Sequence, residues 1–281
     1  MKKNPPTLCI VVLGLIGGSL ARALKAKRWR GKIIGVSGVA ALRTALRRGW
    51  IDDGFSYEKL SDAAAQSDLI MLCVPIGRIL ELLPAVLRRA KTGAIVSDVG
   101  GTKVAIDKLA RRHQRRGVRF IGGHPIAGSE RRGIAAADET LFWGRPWVVI
   151  APATGTPALL LQIIRSAGAK PAHLSASQHD AIYARVSHLP HLIAFALMNQ
   201  WPEVKVKALA PFAGPTFHGM TRVAASPAEN WADTVRTQGP ALNAAIREFE
   251  TSWRKMKAAL KKQGGHHYFA AAARKRRLLA E

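Results

Sequence analysis

A glycine-containing turn near the start of the chain is the first feature that could do chemistry. Residues 8–26 read LCIVVLGLIGGSLARALKA, an apolar strand that runs through glycines into a helix. In dinucleotide-binding turns, one glycine permits the tight turn, a second lets the backbone approach the pyrophosphate, and a third permits close helix–strand packing. The aligned residues are Val12, Gly14 and Gly17, so the first glycine is missing. The turn predicts nucleotide binding by Gly14, Leu15, Ile16 and Gly17; the alternative is a cofactor site that has decayed.

The end of the second predicted strand bears on which nucleotide would fit. An NAD site usually carries Asp or Glu there, to hold the ribose 2′-hydroxyl. This chain has Ser37, no acidic residue before Asp52, and Arg43 in the helix that follows. These residues favour NADP, with NAD as the alternative. Further cofactor contacts are predicted from Val74 and Pro75, where another strand ends.

His124 directly follows an apolar strand, in the segment RFIGGHP. Doubly wound enzymes place their sites at the carboxyl ends of such strands. A neutral imidazole accepts a proton near neutral pH, so His124 is a candidate general base. The alternative is a structural histidine that precedes a proline.

His188 and His191 are three residues apart on a predicted helix and therefore share a face. Metal binding is one interpretation, but no third ligand is evident, and packing in the core is another. Arg222 is the best candidate for an anion contact, because a guanidinium can hold a carboxylate with two hydrogen bonds. Its alternative is an ordinary surface arginine.

A parallel sheet is the element that would bring these residues to one edge. Apolar runs alternate with helical segments, the pattern of a parallel sheet covered by helices on both faces. The predicted strands are 8–13, 32–37, 68–75, 93–99, 119–125 and 145–152, with a last strand at 169–175.

The basic start of the chain before the apolar run at 8–13 is also typical of a secretory signal peptide. We favour the strand, because the sheet needs a central first strand and no other segment supplies it.

From Ala176 onwards the pattern becomes helical, with few strand signals. The predicted helices are 176–200, 227–237, 239–262 and 268–280, the first containing Pro190, which would kink it. The change of period divides the chain into a Rossmann-type α/β domain at 1–175 and an all-helical domain at 176–281.

The composition gives a strongly basic chain, with 43 Lys and Arg against 18 Asp and Glu and a formal net charge of +25. Such a charge suggests nucleic acid, but the cations are spread along the chain without a recognisable binding motif. We interpret them as solvated helix faces that attract anionic ligands.

Cys9 and Cys73 lie in apolar runs, as reduced thiols of a cytoplasmic protein do. The sequence has no run of about 18 uninterrupted apolar residues, so no membrane span is predicted.

Six motifs occur in one order over residues 8 to about 227: GLIGGSLARAL, DLIMLCVPIG, SDVGGTK, GGHPIAGSE, SHLPHLIAFAL and TRVAASP. Together they resemble the prephenate/arogenate dehydrogenase family of tyrosine biosynthesis. The resemblance implies a Rossmann domain, a helical domain that forms a homodimer, and an active site in the cleft between them. It implies oxidative decarboxylation of a small cyclohexadienyl substrate with hydride transfer to NADP or NAD.

The resemblance also implies roles for single residues. His124 matches the catalytic histidine, and the helix with His188 lines the substrate pocket. His191 would lie near the substrate's side-chain carboxylate, and Arg222 would contact a carboxylate. No metal is implied.

Three residues depart from the family pattern. Val12 replaces a glycine, and we expect it to adopt ordinary extended backbone. Gly101 stands where the family usually has a serine that helps to orient the catalytic histidine; Thr102 would replace it if its side chain points the right way. His218 stands where the family usually has an arginine for the substrate carboxylate, and would bind only weakly unless protonated. The alternatives are a same-fold oxidoreductase for another acidic substrate, or a nucleotide-binding regulatory protein with impaired catalysis.

Overall fold

The computed structural model describes residues 5–128, 131–151, 153–261 and 263–279. Its centre is one eight-stranded sheet in the order β3-β2-β1-β4-β5-β6-β7-β8. The strands are β1 Thr7–Val11, β2 Lys32–Val36, β3 Asp53–Phe55, β4 Leu69–Leu72, β5 Ile95–Asp98, β6 Arg119–Pro125, β7 Pro146–Ile150 and β8 Lys170–His173. Strand β1 pairs with both β2 and β4, so the apolar run at the start of the chain lies in the middle of the sheet.

Twelve α-helices complete the described part of the chain. Those that surround the sheet are α1 Leu15–Ala26, α2 Val39–Arg47, α3 Leu60–Gln66, α4 Ile76–Arg89, α5 Val104–Arg112 and α6 Ala158–Ser166. Those that follow the sheet are α7 Ala176–Tyr183, α8 Leu189–Asn199, α9 Glu203–Leu209, α10 Pro215–Thr221, α11 Ala228–Leu260 and α12 His266–Arg277.

The predicted fold class is confirmed, with two differences in the sheet. Strand β7 runs antiparallel to β6, and β8 runs parallel to β7, so the last two strands oppose the first six. Strand β3 has only three residues and was not predicted. It pairs with the outer edge of β2, and its Gly54 lies opposite Gly35.

The core lies in two layers, one on each face of the sheet. One layer contains Leu8, Ile10 and Met71, together with Trp147 and the helix α6 side chains. The other contains Cys9, Val11 and Ile70, together with helix α4. Alternate residues of β1 therefore enter opposite layers, as the two-residue period of a strand requires. Both cysteines are free and buried, as expected.

The chain between α7 and α8 departs from regular α-helix. Residues Ala184–His188 form a π-helical turn, and Pro190 follows in the first turn of α8. A π-helix is rare and occurs mostly as a single turn within an α-helix, frequently at functional sites. The sequence predicted a kink at Pro190, whereas the irregularity lies in the turn just before it, and Pro190 occupies the first turn of regular helix. Helix α11 bends at Gly239, which precedes Pro240 and has a φ of 47°.

The continuous helical segment Ala176–Asn199 comprises α7, the π-turn and α8, and it is long and apolar enough to cross a membrane, judged by length and composition alone. Only 17% of its most apolar 18-residue stretch is buried within the chain. Its first turns nevertheless carry polar side chains that hydrogen-bond to the sheet half, through Asp180 and the backbone at the start of α5.

Candidate active site

A cavity of about 970 Å³ opens where the carboxyl ends of the parallel strands meet the helical half. The sheet half contributes the glycine turn, the segments after β4 and β5, and residues after β6. The helical half contributes Ser187, His191 and Arg222, and the start of α11. Seven of the predicted site residues line this cavity: Gly14, Leu15, Ile16, Val74, Pro75, His191 and Arg222.

The glycine turn keeps its shape without its first glycine. Val12 has a φ of 72°, so the expectation of extended backbone at this residue was wrong. A β-branched residue is strained in this left-handed region. The two remaining glycines differ in the room they leave: a Cβ atom on Gly17 would lie 2.1 Å from the Val12 carbonyl oxygen, whereas one on Gly14 would meet only Val12 Cγ1, at 3.9 Å. The turn thus retains both the close packing and the open approach that a dinucleotide needs.

The predicted contacts for NADP are placed differently from expectation. Ser37 is buried, and its hydroxyl accepts the Leu13 N–H at 3.3 Å, so it supports the turn rather than lining the cavity. Arg43 is exposed on α2 and also lies outside the lining. On the sheet side, the cavity is lined instead by Arg131 and Arg132, which were not predicted from the sequence. The run SERRG after the HPIAG motif was the available signal.

His124 lies on β6, half-buried, beside the cavity wall. It is not itself among the lining residues, but Gly101 is, and a Cβ atom on Gly101 would lie 3.9 Å from Nε2 of His124. The other ring nitrogen, Nδ1, lies 2.8 Å from Nε2 of His179. One nitrogen of His124 is therefore engaged by protein, and the other is directed at the gap left by Gly101.

His179 and Asp180 lie at the start of α7, and both are buried. Nδ1 of His179 is 2.8 Å from Oδ1 of Asp180. The carboxylate of Asp180 also accepts the backbone N–H groups of Lys103 at 2.8 Å and Val104 at 2.9 Å, where α5 begins. Tyr183 packs its ring against both histidines. Neither His179 nor Asp180 was predicted from the sequence.

A buried ion pair supports the backbone next to His124. The Lys103 ammonium contacts the Asp98 carboxylate and donates to the Gly123 carbonyl at 2.7 Å. Asp98 also accepts the Gly123 N–H at 3.1 Å. Burial lowers the pKa of Lys103, against the opposing effect of Asp98. Both backbone groups of Gly123 are fixed by these contacts, so the residue that precedes His124 is held on both sides.

The environment of His124 favours its neutral form. Burial, with smaller contributions from His179 and Lys103, holds the pKa of His124 well below the usual 6.5. Burial also lowers the pKa of His179, although Asp180 opposes it. A neutral imidazole with a free ring nitrogen can accept a proton, which is what a general base requires.

Of the other predicted substrate-binding residues, His191 and Arg222 line the cavity, and His188, Thr102 and His218 do not. Nδ1 of His191 donates to the Ser187 carbonyl at 2.9 Å, and burial lowers the pKa of His191, with Arg222 as a smaller cause. His188 is buried outside the lining, where burial lowers its pKa to about 4. The described residues give its Nδ1 no hydrogen-bond partner.

Thr102 and His218 require correction. Thr102 is fully buried, and its hydroxyl lies 2.8 Å from that of Thr237 on α11, so it is engaged by α11 and does not take the place of the missing serine. His218 is exposed on α10, outside the cavity lining. Among the described residues, no three His, Cys, Asp or Glu side chains come together as a metal site.

Comparison with known proteins agrees with this geometry. Residues 20–174 match the nucleotide-binding domain of prephenate dehydrogenase, and residues 175–273 match its dimerization domain. The cyclohexadienyl dehydrogenase of Zymomonas mobilis is 30% identical over 90% of this chain and 88% of its own length. The prephenate dehydrogenase of Lactococcus lactis is 34% identical over 80% of this chain, which spans only 62% of that relative.

Solved structures lead to the same family. Prephenate dehydrogenase from Aquifex aeolicus, in complex with hydroxyphenyl propionate and NAD+, has a TM-score of 0.82 and 27% identity over 99% of this chain and all of that one. Synechocystis arogenate dehydrogenase has a TM-score of 0.81 and 27% identity over 97% and 99% of the two chains. The chain belongs to the prephenate dehydrogenase family.

Proposed function

We propose that the chain catalyses the oxidative decarboxylation of prephenate or arogenate, with His124 as the general base. The observation that carries this role is the position of His124, whose Nδ1 is engaged by His179 and whose Nε2 lies beside Gly101, a residue of the cavity lining. A pKa well below the usual 6.5 also favours the neutral ring that a base requires. When bound, a nicotinamide dinucleotide supplies the hydride acceptor. The glycine turn fits such a group, because Gly14 is open and Gly17 has no room for a side chain.

The chain's own residues then have three tasks. His124 takes the substrate hydroxyl proton at Nε2 as the hydride leaves the same carbon. Loss of carbon dioxide makes the ring aromatic, and the proton returns to the oxygen to give a phenol. The cavity walls hold the substrate carbon in line with the acceptor, which converts a bimolecular step into one between positioned groups.

The substrate's carboxylates would meet the helical half of the cavity. Arg222 lines it and can hold a carboxylate with two hydrogen bonds. Neutral His191 donates from Nδ1 to the Ser187 carbonyl, so its Nε2 has a lone pair. It would bind an anion only after protonation, which the bound carboxylate itself would favour.

NADP is our proposed cofactor, with NAD as the alternative. The end of β2 carries no carboxylate to repel a 2′-phosphate, and Arg131 and Arg132 line the cavity. We also propose that the cofactor domain ends at residue 175, that the chain forms a homodimer through its helical half, and that it works in the cytoplasm. The buried free thiols support that compartment.

The test is the initial rate of NADP and NAD reduction, with prephenate and arogenate supplied separately to each. We expect turnover with at least one pair, and a His124→Ala variant with kcat lower by about 100-fold or more, the usual contribution of a general base. His113→Ala, at an exposed position at the end of α5, is the matched control and should retain full activity. Absence of turnover in all four pairs, from protein that still binds cofactor, would refute the proposal.

A further inference from the structure

Some side chain must hold the ring of His124 in its orientation, and the serine that usually helps to do so in the family is absent from this chain. Gly101 has no side chain, and the Thr102 hydroxyl is committed to Thr237. No hydroxyl from this segment therefore reaches His124. Among the described residues, two side chains contact the ring of His124: His179 at Nδ1, and Tyr183, whose ring centroid lies 5.0 Å away.

We infer that His179, held by Asp180, is a positioning residue that fixes the tautomer of His124 and leaves its Nε2 unprotonated towards the substrate. This inference rests on the proposed role of His124 as the base. It assigns to α7 the task that the missing serine hydroxyl would otherwise perform.

The ring protons of His179 and His124 can be assigned by starting from the Asp180 carboxylate. An ionised carboxylate only accepts hydrogen bonds, and Asp180 already accepts two backbone N–H groups. His179 must therefore donate from Nδ1 to Asp180. A neutral His179 then has a lone pair at Nε2, which accepts the N–H at Nδ1 of His124. His124 is left with its own lone pair at Nε2, the nitrogen beside Gly101.

The same chain of hydrogen bonds serves the reaction once His124 has taken a proton. The imidazolium keeps its Nδ1–H bonded to His179, and the carboxylate of Asp180 stabilises the positive charge through the second ring. His179 is fully buried and does not line the cavity, so it performs this task without touching substrate. Its removal should therefore affect kcat and leave KM almost unchanged.

The first test needs no turnover. Nitrogen-15 NMR of protein labelled at histidine distinguishes protonated from unprotonated ring nitrogens, and loss of one signal set in His124→Asn assigns His124. We expect the Nδ1–H form in the wild type, with or without cofactor, although imidazole side chains in water favour the Nε2–H form. An Nε2–H form of His124 in the wild type would overturn the inference.

The second test distinguishes a role of His179 in positioning His124 from a role in packing. In His179→Ala, we expect kcat to fall by about 100-fold with KM within about twofold, since a base in the wrong tautomer cannot act. In His179→Gln, the amide oxygen can still accept from Nδ1 of His124, so kcat should recover to within about tenfold of the wild type. Thermal unfolding of both variants shows whether each is folded.

The outcomes distinguish this inference from the proposed function. A wild-type chain with the Nδ1–H form but no turnover of any substrate would leave the tautomer assignment in place and remove the proposed reaction. An active chain in which His179→Ala and His179→Gln lose equal activity would show that packing, rather than hydrogen bonding, explains the effect, and would overturn the inference.

Discussion

At the scale of single residues, the site combines one strained backbone position with one buried chain of hydrogen bonds, from His124 through His179 to Asp180. Val12 adopts a left-handed φ that suits glycine, and its side chain lines the cavity beside Gly14. Desolvation, with smaller contributions from neighbouring charges, holds the pKa of His124 well below its usual 6.5 and so favours the neutral ring. Each feature gives a measurable expectation.

Val12→Gly should raise the free energy of unfolding by about 1 kcal/mol. The substitution removes about 1–3 kcal/mol of backbone strain, and the greater freedom of glycine in the unfolded chain offsets about 0.5–1 kcal/mol of it. Val12→Ala is the matched control, because it trims the side chain but keeps a Cβ atom at a positive φ. Denaturant titration of the three proteins measures the difference; a Gly variant less stable than the Ala variant would place the strain elsewhere.

The pH dependence of catalysis should show its acidic limb below pH 6.5. The active form of His124 is the neutral one, so the rate is constant above its pKa and falls as the pH drops through it. Burial holds that pKa below the usual value, and the limb moves with it to lower pH. A profile of kcat/KM against pH, at saturating cofactor, measures the limb. Loss of activity that begins above pH 7 on acidification would contradict a buried base.

At the scale of elements, helix α11 joins the two halves beside the cavity. Asp233 accepts the N–H of Gly77 at 2.8 Å, in the first turn of α4, and one turn later Thr237 meets Thr102. Gln238 donates to the carbonyl of Asp180. A Cβ atom on Gly77 would lie 2.5 Å from the Asp233 carboxylate, so a side chain there would displace this contact. A carboxylate at this helix start is favourable, because free N–H groups and the helix dipole both attract negative charge.

Asp233→Ala should therefore lower the free energy of unfolding by about 1 kcal/mol, the usual effect of removing a cap at a helix start. Asp233→Asn retains an acceptor oxygen and should recover about half of the loss. Urea unfolding midpoints of the three proteins provide the measurement. Equal midpoints for Asp233→Ala and the wild type would show that α11 contributes nothing to the start of α4.

The sequence predicted the helices with an apolar face over several turns and the strands with a buried apolar run. It missed the short elements that have neither. The strand β3 has three residues, and α9 and α10 have seven each with no buried residue, so none of them leaves a clear pattern. The reversal of β7 is a property of pairing, which the strand's own residues do not encode.

The site was predictable only where a local motif marks it. His124 follows a strand and can be found from that position, whereas its partner His179 is 55 residues away in the chain, in a helix with no signal of its own. The side-chain direction of Thr102 depends on Thr237 of α11, 135 residues later. Such contacts appear only when the two halves of the chain are seen together.

At the scale of the whole molecule, the helical half presents an apolar groove on its surface. The groove lies between α8 and α11 and is lined by Ile193, Ala196, Leu197, Phe249 and Trp253. Trp253 is 49% exposed, and only Ala194 of α8 is buried. This half matches a dimerization domain, and we expect a second copy to cover these side chains in the proposed homodimer.

Trp253→Glu should weaken the homodimer, with a dissociation constant higher by about 30-fold or more, because an interface tryptophan contributes about 2 kcal/mol or more. Val39→Glu is the control: Val39 is 68% exposed on the sheet half and should leave the dimer intact. Sedimentation velocity over a concentration series measures both. An unchanged dimer in Trp253→Glu would move the interface to another face.

The contact between β6 and α7 also limits how this chain can be recombined with its relatives. A chimera that joins this sheet to the helices of another family member takes its base from one parent and the partner of that base from the other. Such a hybrid can bind cofactor through its own glycine turn and still lack a properly oriented base. Active hybrids should therefore be those whose helical parent brings both a histidine at the place of His179 and a carboxylate beside it, and this rule can guide the choice of parents before any crossover is made.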